Sequence, residues 1–379
     1  MAAIYIHVPF CKSRCAYCDF FSTTRPMAHR RAYVDALIAE IGARRRETDE
    51  GIATVYLGGG TPSQLPAQEV GHIIDTIFNI YNVEPGAELT LEANPDDVTP
   101  EVAALWHNAG INRVSMGVQS LDDATLRAIG RRHTAQEAIE AVQAVRRAGI
   151  GNVSIDLMYG LPHQSLEQWE ETLERALSLP VEHISAYALT YEHGTRLWQQ
   201  REKNPLIEAT DELSLAMYTR LRHKAKERGF EHYELSNFAR PGFCSRHNSA
   251  YWRGTPYLGF GPGAHSYDGR RQRRMNLPEL DAYIGAPGEP PHQLETLSDE
   301  SLFNEAVFTR LRTSEGIDLN AFEKKFGPRR LAYLMENARR HIDAGRLLIE
   351  SEPKRMRLAP EALFVSDDIV SDLMSLDQA

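Results

Sequence analysis

Cysteine is scarce in this chain, with four residues in 379, and neither a long apolar run nor a surplus of basic residues is present. Four cysteines, three of them within eight residues, do not make the disulfide framework of a small secreted domain. No stretch approaches the ~20 consecutive apolar residues of a membrane-spanning helix, so no transmembrane segment is expected. The opening Met1-Ala2-Ala3-Ile4-Tyr5 has no basic n-region and no long apolar h-region, so a secretory leader is not expected either. Lysine and arginine number 42 against 52 acidic residues, a formal charge of -10, which argues against a nucleic-acid binder that must neutralise phosphates over a broad surface. What is present is ordinary globular composition, 42% hydrophobic and 25% charged, in a chain long enough for one large and one smaller core.

The three clustered cysteines, Cys11, Cys15 and Cys18, follow a short apolar run in C-x3-C-x2-C spacing. Thiolates are soft ligands that suit zinc, copper(I) or iron-sulfur clusters, and so short a loop can wrap them around one inorganic centre. Structural zinc sites usually draw ligands in C-x2-C pairs from two separate hairpins or helices, and no second pair follows here. A four-iron cluster held by three cysteines keeps one iron open to a small-molecule ligand. A zinc knuckle, or three unrelated thiols, is the alternative that spacing leaves open. An oxygen-sensitive centre needs a reducing compartment, so the expected location is the cytoplasm, with any membrane contact peripheral, at the inner face.

Along the chain, apolar strands alternate with amphipathic helices. Strands are expected at Ile4 to Val8, Ala53 to Leu57, Ala87 to Glu92, Arg113 to Val118, Asn152 to Met158 and His183 to Leu189. Helices fall between them; Thr134-Ala-Gln-Glu137 reads as a capping box that opens one of these, and Ser165-Leu-Glu-Gln168 opens another. Six such units predict an α/β fold with a parallel sheet and right-handed crossovers. A helix from about Thr210 to Arg228 is followed by a stretch rich in aromatics, glycine and proline. Gly285 to Pro291 reads as a linker, and beyond it three helices and a hairpin, Leu347 to Glu350 with Arg355 to Leu358, predict a small helical, winged domain.

Polar residues gather at the strand ends, where such sheets carry their sites. Gly58-Gly59-Gly60-Thr61-Pro62 lacks the following Lys of a phosphate loop, but its glycines allow close approach of a ligand. Glu92 ends the next strand and reads either as a ligand for an ammonium or ribose hydroxyl or, more blandly, as a solvated strand end. Gln119 and Arg131 follow. Asp156, flanked by Ile155 and Leu157, is costly to bury unless hydrogen-bonded, which makes it the best single candidate after the cysteines. Further on, His247 offers an imidazole able to ligate a metal, with Tyr251 and Trp252 as flat apolar neighbours, or else is a loop histidine beside two core aromatics. Cys244 and His265 are further possible ligands, and Arg270, Arg271, Arg273 and Arg274 form a basic patch able to meet carboxylates.

The cysteine spacing, with Tyr17 before Cys18, resembles the radical S-adenosylmethionine (SAM) superfamily, which implies a (β/α)6 partial barrel, a [4Fe-4S] cluster on Cys11, Cys15 and Cys18, and SAM on the open iron. Tyr5-Ile-His-Val-Pro-Phe-Cys11, Gly58-Gly-Gly-Thr-Pro62, Glu92-Ala-Asn-Pro95, Gly117-Val-Gln-Ser120 and Asp156-Leu-Met-Tyr-Gly-Leu-Pro162 narrow the match, and over nearly the whole chain it resembles the oxygen-independent coproporphyrinogen III oxidase family. That resemblance implies SAM contacts from Tyr5, Tyr17, Gly60, Thr61, Glu92, Gln119, Arg131, Asp156 and Ala188, a barrel domain with a heme-motif extension over 1–285 and an oxidase-type C-terminal domain over 292–379. Two departures stand out. Asp19-Phe20 follows the third cysteine where the oxidases have a fourth after a one-residue gap, and the first strand begins at residue 4 without their longer N-terminal segment. Both, with His247-Asn-Ser-Ala-Tyr-Trp252, are similar instead to the heme-chaperone subfamily of HemW type, which implies heme as a further ligand and a heme-acceptor protein as partner, such as a respiratory enzyme at the membrane. The alternatives are an oxidase that decarboxylates two propionates by radical chemistry and a zinc-stabilised binding module.

Overall fold

The computed structural model describes residues 1–375. Twelve strands form one sheet: β1 (Ala2–Val8), β2 (Ile52–Gly59), β3 (Val83–Ala93), β4 (Arg113–Gln119), β5 (Asn152–Tyr159), β6 (His183–Ala188), β7 (Glu231–Glu234), β8 (Asn237–Ala239), β9 (Tyr257–Phe260), β10 (His265–Tyr267), β11 (Gln272–Asn276) and β12 (His292–Thr296). Their order is β12-β11-β10-β9-β1-β2-β3-β4-β5-β6-β8-β7. β1 to β6 are parallel and adjacent in chain order, as the strand-helix alternation predicts, in the (β/α)6 arrangement that the resemblance implies. β9 adds a seventh parallel strand beside β1. The sheet does not close into a full barrel, because β7 and β12 remain as its two edges.

The central strands turn one apolar face to the helices: Ile4, Ile6, Val55, Leu57, Val114, Met116, Ile155 and Leu157 are buried in a single core with them, while the alternate positions, among them Tyr56, Glu92, Ser115 and Asp156, line the sheet's other face. The capping boxes at Thr134 and Ser165 are formed, each with its reciprocal pair of hydrogen bonds, and they start the helices Ala135–Arg147 and Leu166–Leu177. Parallel pairing of successive strands puts all six C-terminal strand ends on one rim. Register aligns the polar residues there: Val8 is opposite Gly59, Glu92 opposite Ser115, and Asp156 opposite both Gly117 and Ser185.

The second unit has its own core around Phe303, Leu334 and Met356, built from the helices Asp299–Leu311, Leu319–Phe326 and Pro328–Asp343 and a three-stranded sheet of β13 (Ile317–Asp318), β14 (Leu347–Ser351) and β15 (Lys354–Leu358). The expected hairpin is β14 with β15. One boundary differs from expectation. Residues after the 285–291 stretch do not leave the sheet, since β12 pairs antiparallel with β11 from Asn276–His292 to Gln272–Thr296. His292-Gln-Leu-Glu-Thr296 is mostly exposed, so its apolar pattern gives no strand signal.

Candidate functional site

The loop that leaves β1 carries the three cysteines and is pinned at both ends by backbone hydrogen bonds. Cys11 N–H donates to Thr23 O at 2.9 Å, Ala16 N–H to Ile129 O at 3.0 Å, and Gly60 N–H to Val8 O at 2.8 Å. A Cβ on Gly60 would meet the Pro9 carbonyl carbon at 2.9 Å, so glycine is what lets β2 pass so close beneath the loop. All three cysteines line one cavity of about 400 Å3, within the range of small-molecule sites. Its wall also takes in Tyr17, Gly60, Thr61, Glu92, Gln119, Arg131, Asp156 and Ala188, one or more residues from every strand end between β2 and β6. Tyr5 sits below this wall, with its hydroxyl 3.1 Å from His7 Nδ1 and its ring under Gly58.

Two thiols of the loop are raised above their ordinary value. Burial raises the Cys11 thiol, with Cys15 adding to the effect, and burial pushes Cys18 up to about 11. Thr61 Oγ1 is 3.4 Å from Cys11 Sγ, and Arg131 donates to Cys15 Sγ at 3.4 Å. Arg131 is fixed by donating to Asn94 Oδ1 at 2.7 Å and to the Gly117 carbonyl. A guanidinium so placed offsets negative charge accumulating on the sulfurs. Burial disfavours bare thiolates at Cys11 and Cys18, and an inorganic cation core plus Arg131 would supply the missing positive charge. Among the described residues no three His, Cys, Asp or Glu side chains converge tightly enough to hold a single metal ion. Three thiols on one short loop, with the Arg131 guanidinium beside Cys15, are a donor set that suits an iron-sulfur cluster.

On the opposite wall stand the two carboxylates. Glu92 is not a solvated strand end: Tyr56 donates to its Oε1 at 2.6 Å and Gly59 N–H to its Oε2 at 3.2 Å. Burial, reinforced by Asp156, raises Glu92 to about 7. Asp156 accepts from Ser115 Oγ at 3.2 Å; burial raises its pKa too, opposed by Ser185 and Arg113. Arg113 is a buried counter-charge that the sequence does not reveal, since it opens β4 where an arginine normally reaches water. Gln119 has φ of 66°, in the left-handed region disfavoured for a residue with a Cβ, at an irregularity in the β4–β5 register that turns its side chain into the cavity.

Residues 5–176 match the radical SAM superfamily and residues 297–365 the HemN C-terminal domain. The chain is 36% identical to the heme chaperone HemW of Lactococcus lactis over 85% of this chain and 84% of that protein, and 35% identical to heme chaperone HemW of Bacillus subtilis over 86% and 87%. The chain belongs to the HemW family of radical SAM proteins. A mitochondrial radical S-adenosyl methionine domain-containing protein 1 from Danio rerio is 34% identical over 98% of this chain and 87% of its own length. The solved structure of the Escherichia coli coproporphyrinogen III oxidase HemN superposes with a TM-score of 0.85, covering 99% of this chain and 90% of that one, at 20% identity, a likeness of fold.

The residues singled out in this HemW-family chain for heme lie elsewhere. His247, Tyr251 and Trp252 are on the helix Arg246–Arg253, not on a loop. Glu88 of β3 accepts from Arg246 N–H and His247 N–H, both at 3.0 Å, and so caps that helix on the sheet's inner face. His247 is 1% exposed, with Nδ1 2.8 Å from Thr54 Oγ1 and Nε2 3.1 Å from the Tyr251 hydroxyl, and its ring stacks on Tyr56 at 4.9 Å. In this conformation both of its ring nitrogens are engaged within the protein. Tyr251 and Trp252 line a second cavity between the two units. Cys244 is half-buried just ahead of the helix, and His265 lies on β10, exposed. The arginine patch is largely consumed by ion pairs: Arg271 with Asp299, Arg273 with Glu305 at 2.8 Å and Arg274 with Glu289 at 3.3 Å. Phe20, in place of the oxidases' fourth cysteine, is exposed beside the first cavity.

Proposed function

We propose that the chain is a heme chaperone that binds heme and passes it to an acceptor protein, and that it carries a [4Fe-4S] cluster on Cys11, Cys15 and Cys18 completed by SAM. The observation that carries the reading is the match to proteins named heme chaperone HemW at 36% and 35% identity over most of both chains. The oxidase likeness rests on fold at 20% identity, and Phe20 supplies no thiol at the position where the oxidases have one.

The first cavity supports the cofactor part. Bound there, a SAM-completed cluster supplies one-electron reducing power at the sulfonium. The protein's own residues do the rest. Cys11, Cys15 and Cys18 hold the metal core, and Arg131 compensates charge at Cys15. The backbone of Gly59 and Gly60 leaves room for the methionyl end, and Glu92 and Asp156 stand ready to accept from an ammonium or ribose hydroxyl. Tyr17, Met158 and Leu189 pack together at the rim and keep water from the sulfurs. Among the described residues no helix is long and apolar enough to cross a membrane. We place the protein in the cytoplasm, with peripheral contact at the inner face, because a cluster of this kind requires a reducing compartment. Anaerobic reconstitution tests the cofactor assignment: iron and sulfide in equal amounts are expected, both lost with any one of Cys11→Ala, Cys15→Ala or Cys18→Ala. Zinc without sulfide would return the protein to the binding-module reading.

A further inference from the structure

The second cavity, about 460 Å3, lies where the helix Arg246–Arg253 and β9 to β11 of the large sheet face the helices Asp299–Leu311 and Leu319–Phe326 and β15 of the smaller unit. Two features set it apart. Its walls are aromatic, with Tyr251, Trp252 and Tyr257 on one side and Phe322 and Phe326 on the other. Trp252 keeps its buried indole N–H without a hydrogen-bond partner among the described residues, a donor short of an acceptor.

The second feature is charge. Five cations line the cavity, Arg253, Arg273, Arg310, Lys325 and Arg355, against three carboxylates, in a chain that is acidic overall. Glu315 pairs with Arg253 at 2.5 Å and more distantly with Arg310, Glu305 pairs with Arg273, and Asp318 is engaged in capping a helix through Ala321 N–H at 2.9 Å. Among the described residues Lys325 and Arg355 have no ion-pair partner; Lys325 rests over the Phe326 ring at 5.2 Å. Burial and neighbouring cations lower both Arg310 and Lys325, which is the behaviour of charges short of counter-charge. A flat aromatic slot with two positive charges in excess is complementary to a flat aromatic ligand with two carboxylates.

We infer that this cavity between the two units binds a tetrapyrrole dicarboxylate, its ring between Trp252 and the Phe322–Phe326 wall and its carboxylates on Lys325 and Arg355. The inference rests on the heme-chaperone reading and adds a site to it. No imidazole or thiol lines the cavity, and His247 is turned into the barrel behind Tyr251, so the ring and its carboxylates, not the iron, carry the binding.

The test uses the full chain, cluster-reconstituted, titrated with hemin, metal-free protoporphyrin IX and protoporphyrin IX dimethyl ester. Metal-free protoporphyrin IX is expected to bind within a few-fold of hemin, and the ester about tenfold or more weaker. Lys325→Glu with Arg355→Glu is expected to weaken hemin binding by about tenfold or more while iron-sulfur absorbance and SAM affinity stay as in the parent. Should the double variant fail to fold, the ester comparison on the parent chain decides. Parent-like hemin binding by the variant, parent-like binding of the ester, or a large dependence on iron would overturn this site and leave the chaperone reading standing. No hemin binding by the parent chain would overturn both.

Discussion

At Glu92, enclosure and the nearby Asp156 carboxylate raise the pKa to about 7, against an ordinary value of 4.5. The folded chain thus holds a proton there that the unfolded chain releases between those values, so this residue's contribution makes stability fall as pH rises from 4.5 to 7. Glu92→Gln is expected to raise the melting temperature of the cofactor-free protein at pH 8, leave it unchanged at pH 4, and weaken SAM binding; a lower melting temperature at pH 8 would contradict the enclosure argument. Asp156→Asn is expected to weaken SAM binding by about tenfold with the iron-sulfur absorbance intact. Unchanged affinity would remove it from the site. These two carboxylates also show what the sequence can and cannot convey. Asp156 announces itself, because Ile155 and Leu157 place it inside an apolar strand. Glu92 has apolar neighbours too, Leu91 and Ala93, but it stands at the end of its strand and Arg113 opens one, and enclosure at a strand end depends on what the neighbouring strands bring above it.

At the level of elements, the helix Arg246–Arg253 is the piece that sequence patterning does not deliver. It is short, its buried side is His247, and its N-terminus is capped by Glu88 from a strand nearly 160 residues earlier in the chain, as well as by Ser245. The strands β7 to β11 around it run three to five residues each, below the length at which periodicity speaks, whereas β1 to β6 are long, apolar and separated by well-capped helices. Since His247 ties the helix to Thr54 and Tyr56 of the sheet and also meets the Tyr251 hydroxyl within the helix, His247→Ala should act on stability. Loss of about 2–4 kcal/mol is expected from the cavity and the two hydroxyls left unpaired, with the Soret band of bound heme unmoved. Chemical denaturation and heme spectra on the same variant check this. Unaltered stability with a shifted Soret band would instead make His247 an iron ligand.

The whole molecule consists of two cores joined at the second cavity. The join includes backbone hydrogen bonds from Leu235 N–H to Arg312 O and from Ser314 N–H to Tyr233 O, the Arg312 guanidinium over the Trp252 ring, and the Arg253–Glu315 pair. Its hydrogen bond to Arg253 holds the Glu315 carboxyl below its ordinary value, so this pair stabilises the join above pH 4.5 and the contribution is lost as pH falls through the lowered value. Glu315→Gln should therefore blunt the acid sensitivity of the thermal transition, and a variant that remained as acid-sensitive as the parent would place that sensitivity elsewhere. That two units exist is legible from the change in pattern after the six strand-helix repeats. Where one gives way to the other is not, because the edge strand β12 is exposed and polar and needs only backbone pairing to belong to the sheet. The central claim concerns the molecule as a whole, that its fold serves heme handling and not porphyrinogen oxidation. Its most direct test is one anaerobic sample of cluster-reconstituted protein with SAM, scored for both heme binding and turnover of coproporphyrinogen III. The account predicts tight heme binding without decarboxylation; formation of protoporphyrinogen IX would contradict it and make the chain an oxidase.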